Sequence, residues 1–375
     1  MADISGKIAL IYDRVNKWGG AEKVLLALHE IFPQAPLFTA VYDSARAPWA
    51  SVFPQLIPSF MQRIPLAKSH HELYPWLTPL AFETLDLKGF EAVISVTSAD
   101  AKSVITPPGT FHLCYCLTPT RYLWSHFKEY QKELNPANRW VTGPLFSYLK
   151  YWDQIASRRP DTYVSISNTV SNRIRKYYGL ESQVIYPPVD IDVYSRPAPH
   201  PGISDFFLYV GRLVGYKRLD VVINVFNEIQ LPLVVVGTGH LENQLRKTSG
   251  SHIHFTGLVS QETLSSFYHH CRAVIFFHEE DFGIVPLEAH AAGKPVIALN
   301  LGGASETVIH NQTGILVEDS SPDSLKNAIL CFNPESFIAA DIRRHAGKFS
   351  KQRFCEEFAK VFITEWKKYK NTLTS

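Results

Sequence analysis

The sequence is poor in the features that would mark a secreted scaffold, a membrane span or a nucleic-acid binder. Its 375 residues include five cysteines, an odd number without a Cys-x-x-Cys spacing, so neither a disulfide framework nor a zinc site is expected. Cys114 and Cys116 alternate in an apolar run, where cysteine acts as a small hydrophobe. The net charge is only +2, and no dense Lys/Arg stripe occurs, so no nucleic-acid partner is expected. No apolar run approaches the roughly 20 residues a spanning helix needs. The run at residues 8–12 follows a single lysine and stops at Asp13, too short for a signal-peptide core, and the chain is expected in the cytoplasm.

What remains is an ordinary globular composition, 46% hydrophobic and 19% charged, with aromatics at 13% as its one excess. The length exceeds the about 100 to 200 residues typical of one domain, which suggests two. Short β-branched runs alternate with helical patterns, as in βα units around parallel sheets. A first series predicts strands at 7–12, 92–97, 111–116, 163–167 and 183–186. Pro187-Pro188-Val189-Asp190 breaks the pattern, and residues 196–202 are proline-rich like a linker. A second series predicts strands at 206–210, 233–236, 273–277, 295–299 and 314–317. Both series read as doubly wound α/β domains. Beyond Ser350, the spacing of Phe354, Phe358, Val361, Phe362 and Trp366 predicts a long amphipathic helix. The expected division is 1–195, 196–349 and a returning helix at 350–375.

Ligands of open α/β sheets bind beyond the carboxyl ends of the strands, and four loops there carry suggestive chemistry. Gly211-Arg212-Leu213-Val214-Gly215-Tyr216-Lys217 leaves a strand with a guanidinium and an ammonium that could clamp a diphosphate; two solvated cations would read the same. Glu280-Asp281-Phe282-Gly283-Ile284-Val285-Pro286-Leu287-Glu288 leads into a helix that Pro286 is suited to begin, with first-turn amides free for a ligand. Glu288 lies on an apolar stretch and needs a hydrogen-bonding partner, which a ribose diol would supply, while Glu280 would face a transferred hexose. The spacing fits a surface acid and a buried ion-pair member equally. Gly19 and Gly20 sit between the first strand and helix, as a phosphate-approach turn or merely a tight connection. Thr118, Arg121, Tyr122 and Trp124 follow the strand at 111–116. From there to Trp152, aromatics (Phe127, Tyr130, Trp140, Phe146, Tyr148, Tyr151) interleave with Lys128, Lys132, Arg139 and Lys150, suiting a carbohydrate or lipid-headgroup surface, or a core. Gly237-Thr238-Gly239 lacks the third glycine of a dinucleotide fingerprint, since Glu242 stands there. Asp190-Ile191-Asp192 reads as a hinge rather than a metal motif.

Together these segments resemble the family 4 glycosyltransferases of the GT-B fold, in which two Rossmann-like domains face a central cleft and a C-terminal helix packs back across them. The likeness runs along essentially the whole chain. Glu280 to Glu288 matches the E-x7-E motif, Gly211-Arg212 with Lys217 the donor-phosphate motif, and Gly302-Gly303-Ala304-Ser305-Glu306 the loop that follows. The resemblance implies a retaining hexosyltransferase using a nucleoside diphosphate sugar and a glycan or lipid-linked saccharide acceptor. Arg212 and Lys217 would meet the diphosphate, Glu288 the ribose, and Glu280 with the amides of Phe282, Gly283, Ile284 and Val285 the sugar and phosphate. The backbone of Gly257 and Leu258 would hold the base, Gly19 and Gly20 would lie near the reaction centre, and Thr118, Arg121, Tyr122 and Trp124 would form the acceptor side. No metal or other cofactor is implied, because cations and helix N-termini supply the charge stabilisation.

Residues 209–218 and 279–292 are similar to a branch that builds bacterial surface polysaccharides, including lipopolysaccharide, often from GDP-mannose, at the inner face of the cell membrane. That branch carries histidine where Leu117 stands, near the donor sugar. Two other functions share the fold: a nucleotide-sugar 2-epimerase, and a donor-binding protein without transfer, which the leucine motivates.

Overall fold

The computed structural model describes residues 7–70, 73–125, 127 and 139–374. The chain divides into two compact units, one formed by 1–187 with 354–375 and the other by 188–353.

The first unit is built on a seven-stranded parallel sheet of β1 (Ile8–Tyr12), β2 (Leu37–Thr39), β3 (Leu56–Pro58), β4 (Ala92–Thr97), β5 (Phe111–Cys116), β6 (Thr162–Ser165) and β7 (Gln183–Val184). Its order is β3-β2-β1-β4-β5-β6-β7. The three central strands are buried at every residue, which explains their unbroken apolar runs: a parallel sheet with both faces covered has no polar side. Strands β2 and β3 escape the sequence pattern because each spans three residues, and β3 ends in Pro58 at the sheet edge, where a missing donor costs no ladder bond. Cys114 and Cys116 are free, buried thiols.

The C-terminal helix, Lys351–Thr374, lies on this first unit. Phe354, Phe358, Phe362 and Trp366 recur every fourth residue, and all are buried. Phe362 meets Phe32 with ring centroids 5.1 Å apart, and Phe354 meets Tyr115 at 5.7 Å, edge to face. Such pairs contribute about 0.5–1.5 kcal/mol each beyond the burial itself.

In the second unit six parallel strands run in the order β10-β9-β8-β11-β12-β13: β8 (Phe207–Val210), β9 (Leu233–Val236), β10 (Ile253–Gly257), β11 (Val274–Phe276), β12 (Val296–Leu299) and β13 (Gly314–Val317). Alternation along the strands sorts their side chains into two cores. Phe207, Tyr209, Val235, Ile275 and Ile297 pack with the helix Leu219–Ile229 on one face. Leu208, Val234, Phe276, Val296 and Ala298 pack on the other with Phe267 and Tyr268 of the helix Gln261–His270. Strand β10, absent from the expected series, is an edge strand with exposed His254 and a register shift between Phe255 and Gly257. Asp190 immediately precedes a short helix, Ile191–Ser195, whose Tyr194 is buried in the second core.

Candidate functional site

Strand order in the second sheet reverses between β8 and β11, so the loops leaving these two strands open a crevice at their carboxyl ends. Residues 211–217 leave β8, and two glycines of the neighbouring loop hold them in place. A Cβ on Gly237 would stand 2.0 Å from the Gly211 carbonyl oxygen, and one on Gly239 2.2 Å from that of Leu213. The Leu213 N–H also donates to the Thr238 carbonyl at 2.9 Å. Gly237-Thr238-Gly239 is therefore a backbone seat for the Arg212 loop, which accounts for its glycines without a dinucleotide.

On that seat, Lys217 Nζ lies 2.5 Å from Glu280 Oε1, with the two side chains 10% and 18% exposed. Arg212 is exposed and donates to the Tyr216 hydroxyl at 3.0 Å. The loop bearing Glu280 is clamped in turn by Gly302 and Gly303. The Gly303 N–H donates to the Glu280 carbonyl at 2.7 Å, and a Cβ on Gly303 would meet the Phe282 carbonyl oxygen at 2.0 Å. Lys217 and Glu280, distant in sequence, are thus brought together beyond the carboxyl ends of β8 and β11, with Arg212 on the same loop as Lys217 and four glycines holding the two loops.

The helix that follows is Ile284–Ala291, two residues earlier than Pro286 suggested. Gly283 precedes it at φ +86°, a left-handed conformation open to glycine, and so fixes the helix start. Pro286 falls in the first turn, where its missing N–H breaks no helical bond. Gly283 at the N-cap contributes no side-chain cap, and the first-turn N–H groups around Ile284 and Val285 have no intrahelical acceptor. Phe282 is buried and packs near Phe349, with centroids 5.9 Å apart. Glu288 is 7% exposed. The partner it requires is present within the protein: the Tyr268 hydroxyl donates to its Oε2 at 2.9 Å. Burial, followed by the Glu288 charge, holds the Tyr268 phenol well above its usual range. Gly257 ends β10 at φ +71°, with its carbonyl taken by the Gly237 N–H, and Leu258 beyond it is 80% exposed.

His278 carries no motif, yet it sits just past β11 with its ring 3.6 Å from Glu280 Oε1. It is fully buried, neither ring nitrogen has a hydrogen-bond partner among the described residues, and burial lowers its pKa.

The first unit carries its own cluster at the carboxyl ends of β1, β4 and β5. Gly19 caps the helix Gly20–Ile31 in an extended conformation, and a Cβ there would lie 3.1 Å from Glu22 Oε2. Buried Glu22 itself accepts from the Tyr12 hydroxyl at 2.7 Å. In the loop after β5, Trp124 Nε1 donates to Asp153 Oδ2 at 2.7 Å and Thr120 Oγ1 to Asp153 Oδ1 at 2.9 Å. Lys102 and Tyr178 complete that carboxylate's shell, at 2.6 and 2.9 Å. Trp124 therefore ties the loop to the helix Arg139–Ala156. Thr118 is buried, and its hydroxyl is 3.5 Å from Arg173. Arg121 and Tyr122 are half-buried, and the Tyr122 ring faces Phe146 at 6.2 Å. Neither Lys102 nor Asp153 shows a sequence signal, because isolated residues 51 positions apart reveal their pairing only in the fold.

The aromatic-rich segment divides between core and surface. Phe127 packs on Phe146 at 5.6 Å, and Trp152 Nε1 donates to Glu83. Tyr148, Tyr151 and Ile155 instead form an exposed stripe, 56%, 66% and 45% accessible, beside exposed Lys150 and Arg158. Lys128, Tyr130, Lys132 and the side chains of Arg139 and Trp140 lie outside the described residues. Among the described residues no helix is long and apolar enough to cross a membrane.

Residues 190–348 match the family described as glycosyl transferases group 1. Over 221 residues the chain is 30% identical to an uncharacterized glycosyltransferase of Methanocaldococcus jannaschii, covering 58% of this chain and 59% of that protein. It is 33% identical over 201 residues to the GDP-mannose-dependent alpha-(1-6)-phosphatidylinositol monomannoside mannosyltransferase of Mycobacterium tuberculosis, covering 45% of this chain and 51% of that one. The chain thus spans between half and three fifths of the length of these curated relatives. Its fold is similar to that of Anabaena HepE, whose crystal structure holds UDP and glucose: the TM-score is 0.71 at 19% identity, covering 96% of this chain and 99% of that one. Two parallel α/β sheets of seven and six strands make a GT-B fold, and residues 190–348 are similar to the group 1 glycosyl transferases.

Proposed function

We propose that the protein is a retaining hexosyltransferase that takes its sugar from a nucleoside diphosphate donor bound on the second unit. The observation that carries this reading is the Lys217–Glu280 pair, formed between the loop that also bears Arg212 and the loop leading into the helix that starts after Gly283, at the switch point of one sheet. Glu280 engages Lys217. A diphosphate would compete for that ammonium while Arg212 and the first-turn amides take its remaining oxygens. Glu288, already held by Tyr268, would accept from a ribose hydroxyl. Gly257 and Leu258 would present backbone to the base.

In the reaction proposed, an acceptor hydroxyl bonds to the anomeric carbon on the face from which the nucleoside diphosphate departs. The bond from that carbon to the diphosphate oxygen breaks, and a departing phosphate oxygen takes the hydroxyl proton. Arg212 and Lys217 stabilise the charge growing on the leaving group. A double displacement would instead need a free carboxylate under the sugar, whereas Glu280 is paired to Lys217. The best donor candidate is GDP-mannose, which the mycobacterial relative's name specifies for that enzyme. The acceptor proposed is a glycan or lipid-linked saccharide, with the Tyr148–Tyr151–Ile155 stripe and its flanking cations resting on the inner membrane face during surface-polysaccharide synthesis.

The test is a thermal-shift series with GDP-mannose, UDP-glucose and ADP-glucose, followed by incubation with labelled sugar and a membrane lipid extract. A donor at 100 times its Kd should stabilise the protein by about 2.7 kcal/mol. Release of nucleoside diphosphate with a glycosylated lipid supports transfer. An epimerised sugar, or binding without turnover, overturns it, and a shift with UDP-glucose alone overturns the choice of GDP-mannose.

A further inference from the structure

The first sheet also reverses its strand order, between β1 and β4, and two aspartates at that point are treated in opposite ways. Asp13 is saturated. Its Oδ1 accepts from Thr97 Oγ1 at 2.9 Å and from the N–H groups of Asp100 and Ala101 at 3.0 and 2.8 Å, and its Oδ2 accepts from the Ser98 N–H at 2.6 Å. Asp100 is 6% exposed. Its main-chain groups are engaged by Asp13 and Ser103, yet among the described residues its carboxyl accepts no hydrogen bond. Lys102, two residues on, is committed to Asp153 at 2.6 Å.

A buried carboxyl without a donor is unfavourable unless something supplies one. The groups facing it define what that can be. Asp13 and half-buried Arg14 lie on the β1 loop, Lys102 on Asp100's own segment, Asp153 on the helix Arg139–Ala156 and Tyr122 on the β5 loop. Burial raises the Asp100 carboxyl to about 7, with Lys102 opposing and Asp13 reinforcing the shift. Arg14 and Lys102 disfavour a cationic ligand, and the two aspartates disfavour an anionic one. A neutral polyol suits both constraints, because a carboxylate has two oxygens that can accept from adjacent hydroxyls.

We propose that Asp100 is an acceptor-binding residue whose carboxylate takes hydrogen bonds from hydroxyls of the saccharide to be glycosylated. This assignment rests on the transferase reading above. It places acceptor recognition on the loop after β4, one strand away from the Thr118 to Trp124 loop, where Thr120 and Trp124 serve the Asp153 network.

The full-length chain and its Asp100→Asn and Asp100→Ser variants are assayed with labelled GDP-mannose, or with UDP-glucose where that donor is turned over. Octyl α-mannopyranoside serves as the acceptor probe, from pH 5.5 to 8.5. Asn and Ser should raise the KM for the octyl glycoside about tenfold or more and leave the donor KM unchanged. The wild-type kcat/KM for the glycoside should rise through pH 7, and the Asn variant's should stay flat. Thermal midpoints at or above the wild type at pH 8 exclude a folding defect. A wild-type acceptor KM and pH profile in Asp100→Asn overturns the assignment, as does donor turnover without any transfer to the glycoside. A wild-type protein that turns over neither donor fails earlier, at the transferase reading itself.

Discussion

Replacing Tyr268 with phenylalanine removes one oxygen from the second unit and tests how Glu288 is held. The Tyr268 hydroxyl donates to Glu288 Oε2 at 2.9 Å, and both residues are buried. A hydrogen bond to a charged group contributes about 1.5–3 kcal/mol, and its loss inside the protein leaves the carboxylate short of a donor. The phenyl ring can still pack against Tyr194, whose centroid is 5.3 Å away, so the apolar contribution is retained and no cavity forms. Tyr268→Phe should therefore lower stability by about 2 kcal/mol, seen as a lower urea midpoint at unchanged slope. In a Glu288→Gln background the same substitution should cost less, with a coupling of about 1 kcal/mol or more. High pH provides a second reading. The folded-state phenol pKa lies above the unfolded value of about 10. The tyrosine's contribution is therefore complete below pH 10 and is lost as pH rises beyond it, so the two curves should converge in alkali. A loss below about 0.5 kcal/mol, or strict additivity with Glu288→Gln, would refute the pairing.

Arg212→Ala and Lys217→Ala should each lower kcat by about 10²-fold, on the scale of one preorganised charge stabiliser; near-normal turnover in both variants removes them from the diphosphate. The two should differ in stability, because Lys217→Ala removes a cation 2.5 Å from the Glu280 carboxylate whereas exposed Arg212 has no ion pair among the described residues, and calorimetry reads the difference. Gly303→Ala places a Cβ 2.0 Å from the Phe282 carbonyl oxygen, so the Glu280 loop must move; nucleoside diphosphate affinity by calorimetric titration should drop about tenfold or more, on the scale of a misplaced positioning contact. Asp100→Asn should stabilise the protein in a pH-dependent way. The folded carboxyl titrates near 7 instead of 3.8, so wild-type stability falls as pH rises between these values, by at most about 4 kcal/mol. The variant's gain in Tm should be present at pH 8 and absent at pH 4; an equal gain at both refutes the shift.

Glu280, Arg212 and Lys217 could be read in sequence because each lies within a few residues of a strand end that its own apolar run announces. The Lys217–Glu280 contact could not, since it depends on Gly237, Gly239, Gly302 and Gly303 admitting backbone at distances no Cβ allows. Glu288 illustrates the same limit. Its apolar surroundings required a partner, but Tyr268 lies 20 residues away on another helix. Trp124 and Thr120 have the right chemistry for a saccharide surface, yet both hydroxyl and indole are committed to Asp153, a residue without motif.

The sequence by itself determined the alternation of strands and helices, the two series, the returning amphipathic helix and the loops where chemistry collects. These follow from local periodicity and from residue types whose backbone or charge properties are intrinsic. Only the tertiary structure decided the short edge strands, the helix start at Ile284, the Lys217–Glu280 and Glu288–Tyr268 pairs and the burial of the Asp100 carboxyl. Those depend on groups distant in the chain, whose interactions exist only once water has been removed from between them.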